Sequence, residues 1–236
     1  MIAFGGAPMG QLPVLIPVKF LHLAKSSFSS TLENEKRENL VLAMLADVIG
    51  AVSQASDVHP VVVSPDEKVL CYARAIGAST LRDLGTDLNK ALMFAIKKVA
   101  SNEERVLIIP ADLPLVRARD IMKIMELSEP RSIVISPSKS DGTNALLLQP
   151  PDVIELRFGE ESFPCHLQEA SRKGVKPIIY RSSTVEFDVD EPEDLGHVLV
   201  NGIGTKTYDF LLSLKGTADT SQASRIQKTL GRLHSR

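Results

Sequence analysis

The sequence predicts an α/β protein in three layers, with a mostly parallel, mixed sheet between two layers of helices. Three observations predict it. Strand-like and helix-like periodicities alternate through the first half of the chain, the pattern of a parallel sheet with helices on both faces. Strands such as Val106–Ile109 are apolar at nearly every position, which suits burial on both sides. From Arg131 onward the alternation breaks, and two β-prone runs follow one another across a turn-rich loop.

The elements follow in order. Leu12–Val18 is a short apolar run, read as a buried strand. Glu33–Val52 is helical, because Val41, Met44, Leu45, Val48 and Val52 recur at helical spacing, with Thr31 as a candidate cap. Val58–Val63 is a strand, and Pro65–Ile76 a helix that Gly77 stops. Ser79–Leu81 is a short strand and Asp87–Ala100 a helix with Leu88, Leu92, Ala95, Ile96 and Val99 on one side. Arg105–Ile109 and Arg119–Leu127 make the next strand and helix. Arg131–Ser136 and Thr143–Leu148 form a hairpin-like pair around Pro137–Gly142. A helix near Glu161–Arg172, a strand at Lys176–Tyr180 and a last helix at Pro192–Val200 complete the pattern, with Pro192 at an early helical position.

The 236 residues suit one α/β domain, and 44% hydrophobic against 24% charged residues can bury a sizeable core. A formal net charge of −2 argues against a nucleic-acid binder that works through a general basic surface. No apolar run reaches the ~18–20 residues that span a membrane. Residues 1–12 read as a loose leader without signal-peptide character, 13–204 as one domain, and 205–236 as a C-terminal extension. Within that extension Thr207–Leu214 is apolar enough to pack or dimerise, while Ser221–Arg236 is polar and basic. A cytoplasmic homodimer without nucleic-acid or membrane partners is the expectation. Cys71 and Cys165 lack any metal or redox spacing and read as reduced, buried thiols.

Two acidic clusters carry the chemistry. Asp112, in Pro110-Ala111-Asp112-Leu113-Pro114, follows the apolar Val106–Ile109, and Asp188-Val189-Asp190 follows the β-prone Val185-Glu186-Phe187. Ligands of open α/β sheets bind outside the carboxyl ends of the strands, so an Asp just past a buried strand points at that crevice. In a period-two strand Asp188 and Asp190 share a face, where they repel unless a cation separates them. Three converging carboxylates suit a hard divalent cation, Mg²⁺, over a nucleotide's phosphates. Nucleotidyl transfer is therefore the candidate chemistry. The plainer readings are a turn residue for Asp112 and a helix cap for Asp190.

Lys19 and Lys25 lie in the loop after the first strand, where two point charges could neutralise a triphosphate; a solvated basic loop is the alternative. Gly159 to Ser162 open a helix whose amides could take an anion, with Arg157 nearby. Thr143 and Asn144 either hold their turn or read a small substrate. His22, His59, His166, His197 and His234 are scattered without ligand spacing and receive no role. The chain lacks a Gly-x-x-x-x-Gly-Lys-Ser/Thr loop, which argues against a P-loop NTPase.

Several segments, in order, resemble the 2-phospho-L-lactate guanylyltransferases, nucleotidyltransferases with the fold of GT-A glycosyltransferases and molybdopterin guanylyltransferases. They are Ile16-Pro17-Val18-Lys19, Ala24-Lys25-Ser26, Leu42–Val48, Val63-Ser64-Pro65-Asp66, Asp87–Leu92, Ile109–Leu115, Asp141–Leu146, Arg157–Phe163 and Asp188–Leu195. The resemblance implies that GTP and 2-phospho-L-lactate give lactyl-2-diphospho-5'-guanosine and pyrophosphate, in biosynthesis of the archaeal deazaflavin coenzyme. Relatives take phosphoenolpyruvate. It further implies that Asp112, Asp188 and Asp190 hold Mg²⁺ and that Thr143, Gly159 and Ser162 contact the phospho-acid. Lys25 and the Leu88-Asn89 loop would lie on the GTP side. One departure stands out: the family's Lys-Ser-Arg-Leu is Lys25-Ser26-Ser27-Phe28 here, so one phosphate-side cation is missing and Lys19 is the candidate substitute. A nucleotidyltransferase for another acceptor, a GT-A glycosyltransferase and an inactive nucleotide binder are the competing readings.

Overall fold

Alternating side chains on the central strands build the two cores. On β1 (Leu12–Pro17), Val14 and Ile16 face one helical layer and Leu15 the other. On β4 (Val106–Ile108), Leu107 joins the first core, and Val106 and Ile108 join the second. A sheet that buries both faces needs helices on both, and the computed structural model, which describes residues 11–84, 87–99 and 104–216, has them.

The first core is closed by α1 (Asn34–Ser53), α2 (Glu67–Ala75), α4 (Ala118–Leu127), α6 (Asp194–Asn201) and α7 (Lys206–Gly216). The second is closed by α3 (Leu88–Val99) and α5 (Ser162–Arg172). With β2 (Val58–Ser64), β3 (Ser79–Arg82), β5 (Ser132–Pro137), β6 (Thr143–Gln149) and β7 (Lys176–Ile179), the sheet has seven strands in the order β3-β2-β1-β4-β6-β5-β7. All neighbours pair parallel except β6, which runs antiparallel to both β4 and β5. That reversal places the start of β6 at the same sheet edge as the ends of β1, β4 and β5.

Several local expectations are corrected. Thr31 closes the preceding 3-10 turn through its N–H to the Phe28 carbonyl, and Glu33 occupies the cap position of α1. The β-prone Val185–Phe187 is not a strand. The Val185 and Glu186 amides both return to the Ser182 carbonyl, making a turn. The buried Asp120 carboxylate fixes that turn, accepting from Tyr180, Ser182 and Thr184 hydroxyls at 2.8, 3.0 and 2.8 Å. Pro192 precedes α6 and does not enter it. Cys71 is exposed and Cys165 half-buried; both are free thiols.

The apolar segment at Thr207–Leu214 is helix α7, which packs on α1 within the chain. Asp47 of α1 accepts from the Lys206 amide, the Thr207 amide and the Thr207 hydroxyl at 2.6, 2.9 and 2.6 Å, satisfying the first turn of α7. Leu211 is buried beneath the helix. Residues 1–10 of the expected leader and the polar stretch Ser221–Arg236 lie outside the described residues.

Candidate active site

The loops after β1 and β4 meet the two segments that follow β5 and precede α6. The loop after β1 turns through Lys25, whose backbone is left-handed at φ 51°. This directs its ammonium to Asp112 Oδ2 at 2.8 Å and Asp190 Oδ1 at 3.0 Å. The two acidic clusters are also joined by backbone, since the Val189 N–H donates to the Asp112 carbonyl at 3.1 Å. Ser27, which stands where the resembled family carries Arg, donates its hydroxyl to the Asp190 carbonyl at 2.6 Å. The adjacent Phe28 is fully buried in the first core. Ser27 thus ties the loop to the carboxylates and supplies no charge.

Asp190 does not cap α6. The carboxylate of Asp194, in the first turn of α6, reaches back to the Asp190 and Glu191 amides, each at 2.8 Å. Its other oxygen takes Lys139 at 2.6 Å, and Lys139 also donates to the Asp188 carbonyl at 3.1 Å. Lys139 and Asp194 therefore hold the carboxylate-bearing turn from both sides.

The electrostatics follow from this crowding. Burial alone would lower Lys25, but the Asp112 and Asp190 carboxylates outweigh it and hold the ammonium above its ordinary pKa. Asp188 is driven well above the carboxylate range by burial, by the Asp190 and Asp112 charges and by its side-chain hydrogen bonding with Asp190. Burial also opposes ionisation of Asp190, yet Lys25 brings its pKa below the ordinary value.

Two cavities meet at this cluster. One, of about 680 Å³, is lined by Lys19, Lys25, Ser27 and Leu88 among others. The second, of about 580 Å³, is lined by Thr143, Asn144, Gly159, Ser162 and Asp188. Leu88, Pro110, Asp112, Phe158 and Asp190 line both. The reversed β6 brings Thr143 and Asn144 here, and a left-handed Gly159 (φ 143°) lets the chain turn into α5.

Not every candidate faces a cavity. Asn89 spends its amide on the Phe158 backbone, donating to the carbonyl and accepting from the N–H, both at 2.9 Å. It positions Phe158, which stands between the cavities. The Arg157 guanidinium pairs with Glu155 at 2.9 Å on the surface and lines neither cavity. Asn144 donates to the Val185 carbonyl at 2.9 Å, holding the turn ahead of Asp188. Sequence reasoning missed Lys139, Asp194 and His166. Only His166 left a trace, four residues after Ser162 on one helical face.

Three Asp side chains offer the hard oxygen donors that suit Mg²⁺. Asp188 Oδ1 is buried without a hydrogen-bond partner, an acceptor left for a cation. Among the described residues no three such groups stand gathered as a ready metal cluster, because Lys25 lies between Asp112 and Asp190. The residues fit the ion on donor chemistry, and Lys25 would then share two carboxylates with it.

Comparison with known proteins bears on the family and the fold. A curated 2-phospho-L-lactate guanylyltransferase of Methanocaldococcus jannaschii is 37% identical over 205 residues, 86% of this chain and 89% of that protein. One from Methanothermobacter thermautotrophicus is 38% identical, covering 89% of this chain and 94% of its own length. A phosphoenolpyruvate guanylyltransferase of Rubrobacter xylanophilus is 40% identical, covering 80% and 93%. Among solved structures, one from Desulfovibrio desulfuricans G20, assigned to the nucleotide-diphospho-sugar transferases, superposes with TM-score 0.73 at 15% identity, over 94% of this chain and 99% of that one. A cytidylyltransferase from Leptospira borgpetersenii superposes with TM-score 0.59 at 16% identity, over 92% and 97%. These likenesses establish a nucleotidyltransferase fold. The model of the family described as guanylyl transferase, CofC like, matches residues 12–232, and the chain belongs to that family.

Proposed function

We propose that this chain is a guanylyltransferase that joins GMP from GTP to 2-phospho-L-lactate and releases pyrophosphate. The observation that carries the proposal is the pair of cavities meeting at Asp112 and Asp190, one beside lysines and one beside hydroxyls and helix amides. A nucleoside triphosphate in the first and a small phosphorylated acid in the second would face each other across the carboxylates.

The acceptor's phosphate oxygen attacks the α-phosphorus while the bond to the pyrophosphate oxygen breaks. That oxygen is already anionic at neutral pH, so a strong general base is not needed. The barrier lies in bringing anion to anion, which positioning and opposing charge reduce. Lys25, with Lys19 in the same cavity, supplies protein cation on the GTP side. Thr143, Ser162 and the Gly159 turn would hold the acceptor. Asp112, Asp188 and Asp190 would hold Mg²⁺, which offsets the charge that accumulates on the transferring phosphate.

Pyrophosphate release with GTP, Mg²⁺ and 2-phospho-L-lactate tests this, with phosphoenolpyruvate and ATP run in parallel. Release that requires GTP, metal and 2-phospho-L-lactate supports the proposal. Phosphoenolpyruvate is the second reading, favoured by the 40% identity to a phosphoenolpyruvate guanylyltransferase. GTP binding without release under any pairing would point to another acceptor or an inactive binder. The proposed homodimer would bury exposed Val200, Ile203 and Leu212 near the C-terminal helices, and light scattering measures it directly. No helix among the described residues is long and apolar enough to cross a membrane, and a cytoplasmic location is part of the proposal.

A further inference from the structure

His166 is fully buried behind Thr143 and Ser162, which line the second cavity, on the face of α5 that carries Ser162. Its Nε2 lies 2.9 Å from the Arg157 backbone nitrogen, whose N–H can only donate. Nε2 must therefore be the bare nitrogen of a neutral ring, which puts the proton on Nδ1. Nδ1 lies 3.0 Å from Thr143 Oγ1 and so donates to it. The Ser162 hydroxyl donates to the same oxygen at 3.1 Å. Thr143 Oγ1 then accepts twice, and its own proton is left over.

We propose that His166 is a positioning residue that, by donating to Thr143, leaves the Thr143 hydroxyl as a committed donor to an oxygen of the phosphorylated acid in the second cavity. The inference rests on the reading that this cavity takes the acceptor. Burial supports it independently, since the His166 ring is held down to a pKa of about 4 and stays neutral at working pH. Without the imidazole, the Thr143 proton could turn inward and present a lone pair to an anionic substrate.

Two substitutions separate the ring's two ends. His166→Gln reaches the Nε2 position and keeps an acceptor for the Arg157 N–H, but loses the donor to Thr143. His166→Asn puts an amide N–H near Nδ1 and keeps that donor. With 2-phospho-L-lactate and GTP in a pyrophosphate-release assay, H166Q is expected to raise the KM for the acceptor about tenfold or more, the effect of one hydrogen bond to a charged group. The KM for GTP stays unchanged, H166N recovers most of the loss, and T143V matches H166Q without adding to it. A matching rise in both KM values, or H166N as impaired as H166Q, overturns the proposal. Nitrogen NMR of the wild-type chain needs no variant: the His166 ring should carry its proton on Nδ1, and an Nε2–H ring refutes the assignment. A wild type with no acceptor-dependent release removes the proposed function and this inference together. An active wild type with an unaffected H166Q removes this inference alone.

Discussion

Replacing Lys25 with Met should make the protein depend on metal for its stability. Lys25 is the only residue among those described that is seen ion-paired to both Asp112 and Asp190, at 2.8 and 3.0 Å. Breaking a fully buried pair costs about 3–5 kcal/mol, whereas an exposed pair contributes about 0–1. Here the side chains are 11%, 28% and 46% exposed, so the loss falls between, at about 2 kcal/mol. For a chain of this size that is a drop of about 4–8 °C in Tm. The sign with pH follows from Asp190, whose folded pKa Lys25 depresses below the unfolded value. That contribution is present above the ordinary Asp range and is lost as pH falls through the folded value, so wild type and variant should converge in acid. At pH 7, Mg²⁺ should replace the missing cation and raise the Tm of the variant more than that of the wild type. Differential scanning fluorimetry in EDTA and in Mg²⁺ reads all of this. A variant as stable as wild type in EDTA, or one that Mg²⁺ does not restore, refutes the shared-carboxylate argument.

Other outcomes are expected. Asp112→Asn or Asp188→Asn should lower turnover by about a thousandfold or more with the fold intact by circular dichroism, as loss of a metal ligand or transition-state charge does; near-wild-type rates in both would sink the metal assignment. Asp47→Ala removes the side chain that satisfies the first turn of α7 and should cost about 1–2 kcal/mol in urea denaturation with substrate KM values unchanged. For His166, a folded pKa of about 4 against 6.5 corresponds to about 3 kcal/mol, fully present above pH 6.5 and lost as pH falls toward 4. Asp188, raised on folding, slopes the opposite way, so the quantity to measure is the stability of wild type minus that of H166N across this window. A difference that does not change with pH contradicts the buried neutral ring.

The sequence made the sheet and the loops after β1 and β4 legible because their signals are local. The apolar run into β4 and the Asp that follows it are neighbours in the chain, and the fold keeps them so. The reading failed where partners are distant. Val185–Phe187 has strand-forming residues, but its turn is imposed by Asp120, 62 and 64 positions from Ser182 and Thr184. Asn89 reads as a candidate on the GTP side until Phe158, 69 positions away, takes its amide. His166 sits 23 positions from Thr143, and its one local trace, the helical spacing from Ser162, points to no partner. Asp190 was the candidate cap of the last helix, and the reverse cap from Asp194 back to the Asp190 amide had no local sign.

The reversed strand β6 has an evolutionary consequence. Because it runs against its neighbours, the second cavity hangs largely on one hairpin and the start of α5, while the first is built largely from the β1 and β4 loops. The two halves share the acidic seam with Leu88, Pro110 and Phe158. Under the proposed function, drift in the hairpin would change which small acid is accepted without disturbing how the nucleotide is held. Relatives of comparable identity bearing names for two different acceptors are what such separable halves would leave behind.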